Sequence, residues 1–448
     1  MNEHLMEKIV SLCKRRGFIF PGSEIYGGLA GIYDYGPMGV ELRHNIKQHF
    51  WNKFIAERDD VYGMSAAILM PERVWEASGH TSEAGLVDPL IECKICHERI
   101  RADQPEAIVA HEATHKEKVE WSEPTVFNLL VETRLGASEK SSAKAYLRGE
   151  ITQGVHVNFK NVLDSMHPKM PFGIGQIGKA FRNEITPRDF LFRQREFEQM
   201  ELQYYIRPDE EEGKKQFEYW KQFAFDWYAS LGFNKDHLRL RQHAPDERAH
   251  YAKDAWDIEY KAPFGWKEAW GIHHRGDWDL KRHQEYSGVS MEYTDPETGE
   301  KMLPWDIECS GGVDRAVLFV LLDAYREDDM SGEVRTYLAL APKIAPVKAM
   351  VSPLLKNKPE LVAKAREVRA ALQKVHPAIA WDDNGNIGKR YRRQDEIGTP
   401  FCITIDFDTL GEHPSLKDTV TLRHRDTGEQ ERLTVSEVAA RIATAIQQ

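Results

Sequence analysis

Apolar positions along the chain recur at helical spacing in several long stretches and at strand spacing in most of the rest. Residues 2–16 read as an amphipathic helix stopped by Gly17. A glycine-rich run of turns follows, and Pro37 opens a second helix with Val40, Ile46, Phe50 and Phe54 along one side. Core packing is the ordinary reading of such a stripe, and a subunit interface is the other. Val61 to His80 reads as a strand, a turn at Pro71 and a short helix. Residues 210–232 predict a long helix rich in aromatic side chains. Residues 310–325 predict another, with Val313, Ala316, Val317, Val320, Leu321 and Ala324 at helical spacing after a Ser-Gly-Gly turn.

Period-two alternation marks the strands. One hairpin leads in over 176–182 and out over 195–205, and residues 237–310 read as a run of antiparallel strands. Alternation on the outgoing strand puts Arg195, Phe197, Gln199 and Glu201 on one face, opposite Glu196 and Glu198. Tyr146 to Phe159 reads as a strand entering a helix. After Pro342 and Pro346 the pattern changes to strand, helix, strand, helix, two strands and a final helix, which predicts a separate α/β unit with a mixed sheet. Residues 90–145 are charged and weakly periodic and read as an insertion. The division is thus residues 1–340, with the insertion at about 90–145, and residues 341–448.

Length and composition set bounds. A chain of 448 residues, 41% hydrophobic and 29% charged, has the make-up of a globular protein of two or three domains. No apolar run approaches the ~20 residues that span a bilayer. An odd number of scattered cysteines points to a reducing, cytoplasmic setting. The net charge of −11 argues against a nucleic-acid partner, but it is unevenly spread: residues 341–448 carry 17 basic and 14 acidic side chains, against 43 and 57 in the remainder. A basic end on an acidic body is compatible with RNA binding.

The candidate chemistry gathers around the hairpin. An Arg/Glu-rich hairpin is ordinarily laced with surface ion pairs. Here Arg182, Arg193 and Arg315 supply charged planar forks suited to polyphosphate oxygens, and Phe197 offers a ring for a base. Gly311 and Gly312 leave room for close backbone approach. Glu150, Glu201 and Glu308, with Ser310, place acids at strand ends, where a cation such as an ammonium group would relieve their repulsion. In the insertion, Cys93, Cys96, His111 and His115 form C-x2-C-x14-H-x3-H, close to a structural zinc spacing. His111 to His115 also matches HExxH, but a metalloprotease needs a third ligand and a cleft. Free thiols and surface histidines are the plainer reading of all four.

Taken in order, Gly36-Pro37-Met38-Gly39, FRNE with FRQREF, and ECSGGVDRAVLF resemble the three signature motifs of class II aminoacyl-tRNA synthetases, specifically the dimeric glycyl type. Residues 387–401, IGKRYRRQDEIGTPF, resemble the anticodon-binding domain that the glycyl, threonyl, prolyl and histidyl enzymes share. The resemblance implies an α+β fold: a catalytic domain on an antiparallel sheet flanked by helices, with an inserted subdomain, and a C-terminal mixed α/β domain. It implies ATP-dependent ligation of glycine to tRNA(Gly) through a glycyl-adenylate, by a cytoplasmic homodimer. ATP would be held by Arg182, Glu184, Arg193, Phe197, Glu268 and Arg315, with the three arginines as the catalytic groups on the phosphates. Glycine would be held by Glu150, Glu201, Arg275, Glu308 and Ser310. Glu268 and Glu308 are candidates for Mg²⁺, the Cys/His set for Zn²⁺, and Lys389, Arg390, Tyr391, Arg392 and Arg393 for tRNA. Glycine lacks a side chain to grip, so crowding at the α-carbon would reject competitors, and no editing domain is expected.

Three departures from the family pattern stand out. Arg148-Gly149-Glu150-Ile151 replaces Arg-Pro-Glu-Thr, His273-His274-Arg275 replaces Ala-Asp-Arg, and Cys309 replaces a proline. The charged positions survive. Two other readings remain: threonyl, prolyl or histidyl specificity, which the acid set disfavours, and an inactive synthetase-like nucleic-acid-binding subunit, which has no use for a phosphate clamp.

Overall fold

A computed structural model describes residues 4–82, 85–137, 142–244, 247, 252–330 and 332–447. Its centre is a seven-stranded sheet of β1 (Val61–Met64), β2 (Phe172–Phe181), β3 (Glu196–Ile206), β4 (Leu238–Gln242), β5 (Asp254–Ala262), β6 (Gly265–Gly276) and β7 (Trp305–Gly312). The spatial order is β4-β5-β6-β7-β3-β2-β1, and only the β1–β2 pair is parallel. No helix of the described residues is long and apolar enough to cross a membrane.

Helices cover one face. α1 (Leu5–Arg16) ends on Gly17 in the left-handed region, with Asn2 of the expected helix outside the described residues. α2 (Pro37–Trp51) buries Leu42, Ile46 and Phe50, and Phe54 continues the stripe, whereas Val40 is 47% exposed. The apolar side is therefore one position off the expected one at its start. α4 (Glu210–Ser230) sends Phe217, Trp220 and Trp227 inward, and Trp227 packs on Trp270 of β6 with ring centroids 5.0 Å apart. α6 (Val313–Ala324) is buried along its length except at Arg315.

Ser310, Gly311 and Gly312 are not a turn, as the sequence suggested, but the end of β7, paired with β3. A Cβ on Gly311 would lie 2.3 Å from Cε3 of Trp270, so the strand lies flat only because that position is bare. Among the elements that escaped the sequence reading are α5 (Trp278–Ser287) between β6 and β7 and a hairpin pairing Tyr325–Met330 with Glu333–Leu338.

The other face of the sheet carries the short helix α3 (Thr152–His156) and α5, beside the segment between β1 and β2. Two small three-stranded sheets occupy that segment, one pairing Val87–Glu92 with Arg99–Arg101 and Thr125–Asn128. Towards the C-terminus a second core forms on a five-stranded sheet: β8 (Ala349–Pro353), β9 (Ile379–Trp381), β10 (Phe401–Ile405), β11 (Thr419–His424) and β12 (Gln430–Thr434). Parallel and antiparallel pairs mix there in the order β9-β8-β10-β11-β12. α7 (Pro359–Leu372), α8 (Ile387–Glu396) and α9 (Val435–Gln447) complete the unit.

Candidate active site

β2 and β3 pair along ten residues, and the alternation of β3 divides its side chains between two environments. Glu198 faces α2, where Arg43 lies 2.9 Å and Lys47 3.0 Å away. The Asp314 carboxylate, in the first turn of α6, accepts from the Glu198 backbone N–H at 2.6 Å and from the Tyr35 hydroxyl at 2.5 Å. These bonds fix the start of α6 against the hairpin, and with it Arg315.

Phe197 and Gln199 face the opposite way, into a cavity of about 730 Å³ that opens to solvent. Its walls include Arg182, Glu184, Arg193, Phe197, Gln199, Glu268, Ser310, Gly311, Gly312 and Arg315. All six side chains expected to hold ATP therefore line one space. Arg182 is anchored by Nε on the Gly149 carbonyl at 3.0 Å, and its guanidinium stands 5.4 Å from the Phe197 ring centroid. Arg193 approaches Glu184 at 3.8 Å. Arg315 lies 4.5 Å from the centroid of Phe192 and 3.3 Å from the Glu268 carboxylate. The three guanidinium groups reach the cavity from three different elements, a geometry suited to several oxygens of one polyanion.

Beneath the cavity lies a buried acid pocket. Gln199 Nε2 donates to Glu201 at 3.0 Å and Ser310 Oγ donates to Glu308 at 2.9 Å, so the cavity wall and the pocket share residues. The Thr152 hydroxyl donates to Glu201 at 2.7 Å, and Gln203 Nε2 lies 3.4 Å from Glu201 and 3.3 Å from Glu308. Arg275 donates to Glu308 at 2.9 Å while gripping Asp279 with two nitrogens, at 2.8 and 3.2 Å. Glu150 stands apart, held by His80 at 3.2 Å and Gln153 at 3.1 Å.

The acids separate by charge state. Burial, then the charges of Glu308 and Glu150, push the Glu201 carboxyl well above the usual range. Burial also works against ionised Glu150, but the His80 imidazole and Arg275 bring it down to about 2. Burial is likewise outweighed at Glu308, where Arg275 and His273 hold the carboxyl below its ordinary value. With its carboxyl raised in this way, Glu201 is the acid whose proton an arriving cation would most readily displace, leaving the pocket more negative to receive it.

Glu308 is already heavily engaged. Its two oxygens already accept from His273, Ser310, Arg275 and Gln203, leaving no lone pair directed at the cavity. Glu268, half-exposed on the cavity wall, keeps that capacity. Thr152, Gln203 and Asp279 belong to the pocket and were not foreseen from the sequence, since nothing in an isolated Thr, Gln or Asp announces a carboxylate partner.

Residues 136–359 match the family model of the class II tRNA synthetase core domain (G, H, P, S and T), and residues 348–444 match that of the anticodon binding domain. Over nearly their whole lengths, proteins named glycine–tRNA ligase align with the chain. Those of Caldanaerobacter subterraneus subsp. tengcongensis and Alkaliphilus oremlandii are both 48% identical, covering 97% of this chain and 96% and 97% of their own. That of Lysinibacillus sphaericus is 47% identical over 99% of each. The chain belongs to the class II glycine–tRNA ligases.

Within this family frame, the sites expected for tRNA and zinc fare differently. Arg390 on α8 is 2% exposed, and its guanidinium donates to Ser352 Oγ and to the carbonyls of Pro353, Asp383 and Gly385. It ties α8 to the ends of β8 and β9 and is withdrawn from any RNA surface. The Tyr391 and Thr404 hydroxyls share a hydrogen bond of 2.7 Å and Arg423 lies over the Tyr391 ring at 4.9 Å, so the ring presents no free stacking face on that side. Arg393 pairs with Asp382 at 2.8 Å and Arg392 with Glu333 at 3.4 Å. Lys389 is exposed. In the insertion, Cys93, Cys96, His111 and His115 converge, with one potential ligand atom from each lying within 4.8 Å of the others.

Proposed function

We propose that the protein activates glycine with ATP and transfers it to tRNA(Gly). The observation that carries this reading is the continuity between the arginine-lined cavity and the buried acid pocket through Gln199 and Ser310. Phe197 would stack on adenine, with Glu184 beside it; Arg182 would hold the α-phosphate, and Arg193 and Arg315 the outer phosphates. The glycine ammonium group would lie beside Glu201 and Glu150, with Ser310 at its edge and the Glu308 carboxylate, held by Arg275 together with Asp279, adding negative charge close by. A glycine carboxylate oxygen then attacks the α-phosphorus, the bond to the bridging oxygen breaks, and pyrophosphate leaves. No general base is needed, because the nucleophile is already ionised; positioning and neutralisation of phosphate charge supply the acceleration. In the second step a ribose hydroxyl at the tRNA end attacks the glycyl carbonyl, its proton passes to the adenylate's own phosphate, and AMP departs.

Mg²⁺ bound through Glu268 would neutralise the outer phosphate charge. Zn²⁺ would be held by Cys93, Cys96, His111 and His115 as a structural ion that stiffens the insertion; two thiols and two imidazoles are a donor set suited to it. Lys389 and the exposed parts of Arg392 and Arg393 are the members of the basic cluster suited to RNA. A homodimer is supported by Ile25 and Tyr26, each 87% exposed, with Leu29 and Val40 also exposed on and before α2.

Incubation with ATP, radiolabelled glycine and tRNA(Gly) transcript tests the whole reading. Acid-precipitable glycine that requires all three components is expected; its absence with active control tRNA would contradict the proposal.

A further inference from the structure

Three adjacent strands bring a second set of metal-type donors together at the rim of the acid pocket. His243 follows β4, Asp257 lies on β5 and His273 on β6, and one ligand atom from each falls within 4.8 Å of the others. His243 Nε2 is 2.7 Å from Asp257 Oδ2, and the two imidazole centroids are 6.0 Å apart. Asp257 is 5% exposed.

The two nitrogens of His273 are differently placed. Nδ1 lies 3.0 Å from the Glu308 carboxylate, and with a proton on that side Nε2 is the nitrogen open to an ion, which would take the place of the second proton that Glu308 favours on the ring. Among the described residues Nε2 has no hydrogen-bond partner. Gly271 makes room for that edge: a Cβ there would stand 2.9 Å from Cε1 and 3.2 Å from Nε2 of His273. Gly271 pairs directly with Asp257 across the sheet, so the bare edge of the ring lies on the Asp257 side. A carboxylate behind the ring and an open lone pair in front is the arrangement that orients a ligating histidine.

The competing cation is Arg241. It approaches Asp257 only to 3.9 Å and is already engaged by Glu247 at 2.9 Å and Glu259 at 3.0 Å. Two imidazoles and one carboxylate suit a divalent ion of the zinc, cobalt or manganese kind, and three protein ligands leave positions for water or an oxygen anion.

We propose that His243, Asp257 and His273 form a divalent transition-metal site, separate from the Cys/His cluster of the insertion. Short side-chain rotations bring the donors to bonding distance, and the ion takes the place of the proton between His243 and Asp257. The ion and Glu308 then hold opposite nitrogens of one ring, so the site also steadies Glu308.

Cobalt titration of the full-length, metal-stripped protein tests this. A thiolate-to-cobalt charge-transfer band reports only the insertion cluster; the proposed site adds visible d–d absorption without that band. Expected is one equivalent of cobalt of the second kind, its affinity reduced at least ~10-fold in His243→Ala and in the near-isosteric Asp257→Asn. Gly271→Ala, which turns the His273 ring away, weakens it as well. A titration with no thiolate-free component, or one unchanged in His243→Ala and Asp257→Asn, would overturn the proposal whether or not the insertion holds zinc and whether or not glycine is the substrate.

Discussion

Replacing Arg275 by methionine probes the acid pocket at its one buried guanidinium with two carboxylate partners. Arg275 is 5% exposed and neutralises Asp279, 3% exposed, and Glu308, 4% exposed. Methionine keeps much of the volume and removes the charge. Asp279 retains Gln153 at 2.9 Å, and Glu308 retains His273 and Ser310, so neither loses every donor. Breaking a buried pair while leaving its partner costs about 3–5 kcal/mol, the remaining charge being stranded. At ~2 °C per kcal/mol for a unit this large, the apparent Tm falls by roughly 6–10 °C. The loss depends on pH with a definite sign. Arg275 helps depress the folded-state pKa of both acids, and a depressed carboxylate stabilises above its unfolded value and stops doing so as pH falls through the folded one. The gap between parent and variant is therefore at its full size above pH ~4 and narrows only as the pH falls below that value. Scanning calorimetry across that range, with glycine KM measured by pyrophosphate exchange, reads both effects. A Tm within a degree or so of the parent, together with an unchanged KM, would refute the assignment of Arg275 as the counter-charge of the pocket.

Other perturbations separate the remaining parts. Arg182→Ala is expected to lower kcat/KM for exchange by roughly 10³-fold, about 4 kcal/mol, with Tm held near the parent value; near-normal exchange would remove Arg182 from the phosphate site. Arg390→Met should destabilise the C-terminal unit by about 2–4 kcal/mol through its abandoned carbonyls, whereas Lys389→Ala should weaken tRNA binding without changing stability. Unfolding and tRNA titrations on both variants check this, and the reverse pattern would restore Arg390 as an RNA contact. Because the Glu201 carboxyl is pushed well above its usual range, an ammonium group bound beside it should bring it down again, so glycine binding should release protons and affinity should rise with pH where the free carboxyl is still protonated. Calorimetry in two buffers of different ionisation enthalpy measures it; identical heats would contradict the raised Glu201 carboxyl.

Much of this site was readable along the chain because its chemistry is carried by rare residue types in fixed order. Arg182, Arg193, Phe197 and Arg315 sit where alternation and motif spacing put them, all on the cavity wall. What could not be read depends on which face a charge meets. Residues 389–393 look uniformly basic, yet one turn of α8 turns Arg390 inward onto carbonyls and leaves Lys389 outside. α5 was missed because WDLKRHQEYS offers only a thin apolar stripe; its inner face is polar, with Asp279 and His283 buried beside Leu280. The Ser-Gly-Gly segment suggested a turn, but Trp270, distant in sequence, makes it a flat strand end. The crowding of Glu308 by four donors, which only the folded sheet assembles, was likewise invisible along the chain.

Glycine-dependent ATP–pyrophosphate exchange tests the central claim most directly, since it isolates activation from tRNA. The account predicts exchange with glycine and none above background with alanine, serine, threonine, proline or histidine. No exchange with glycine, or exchange sustained by one of the others, would contradict it.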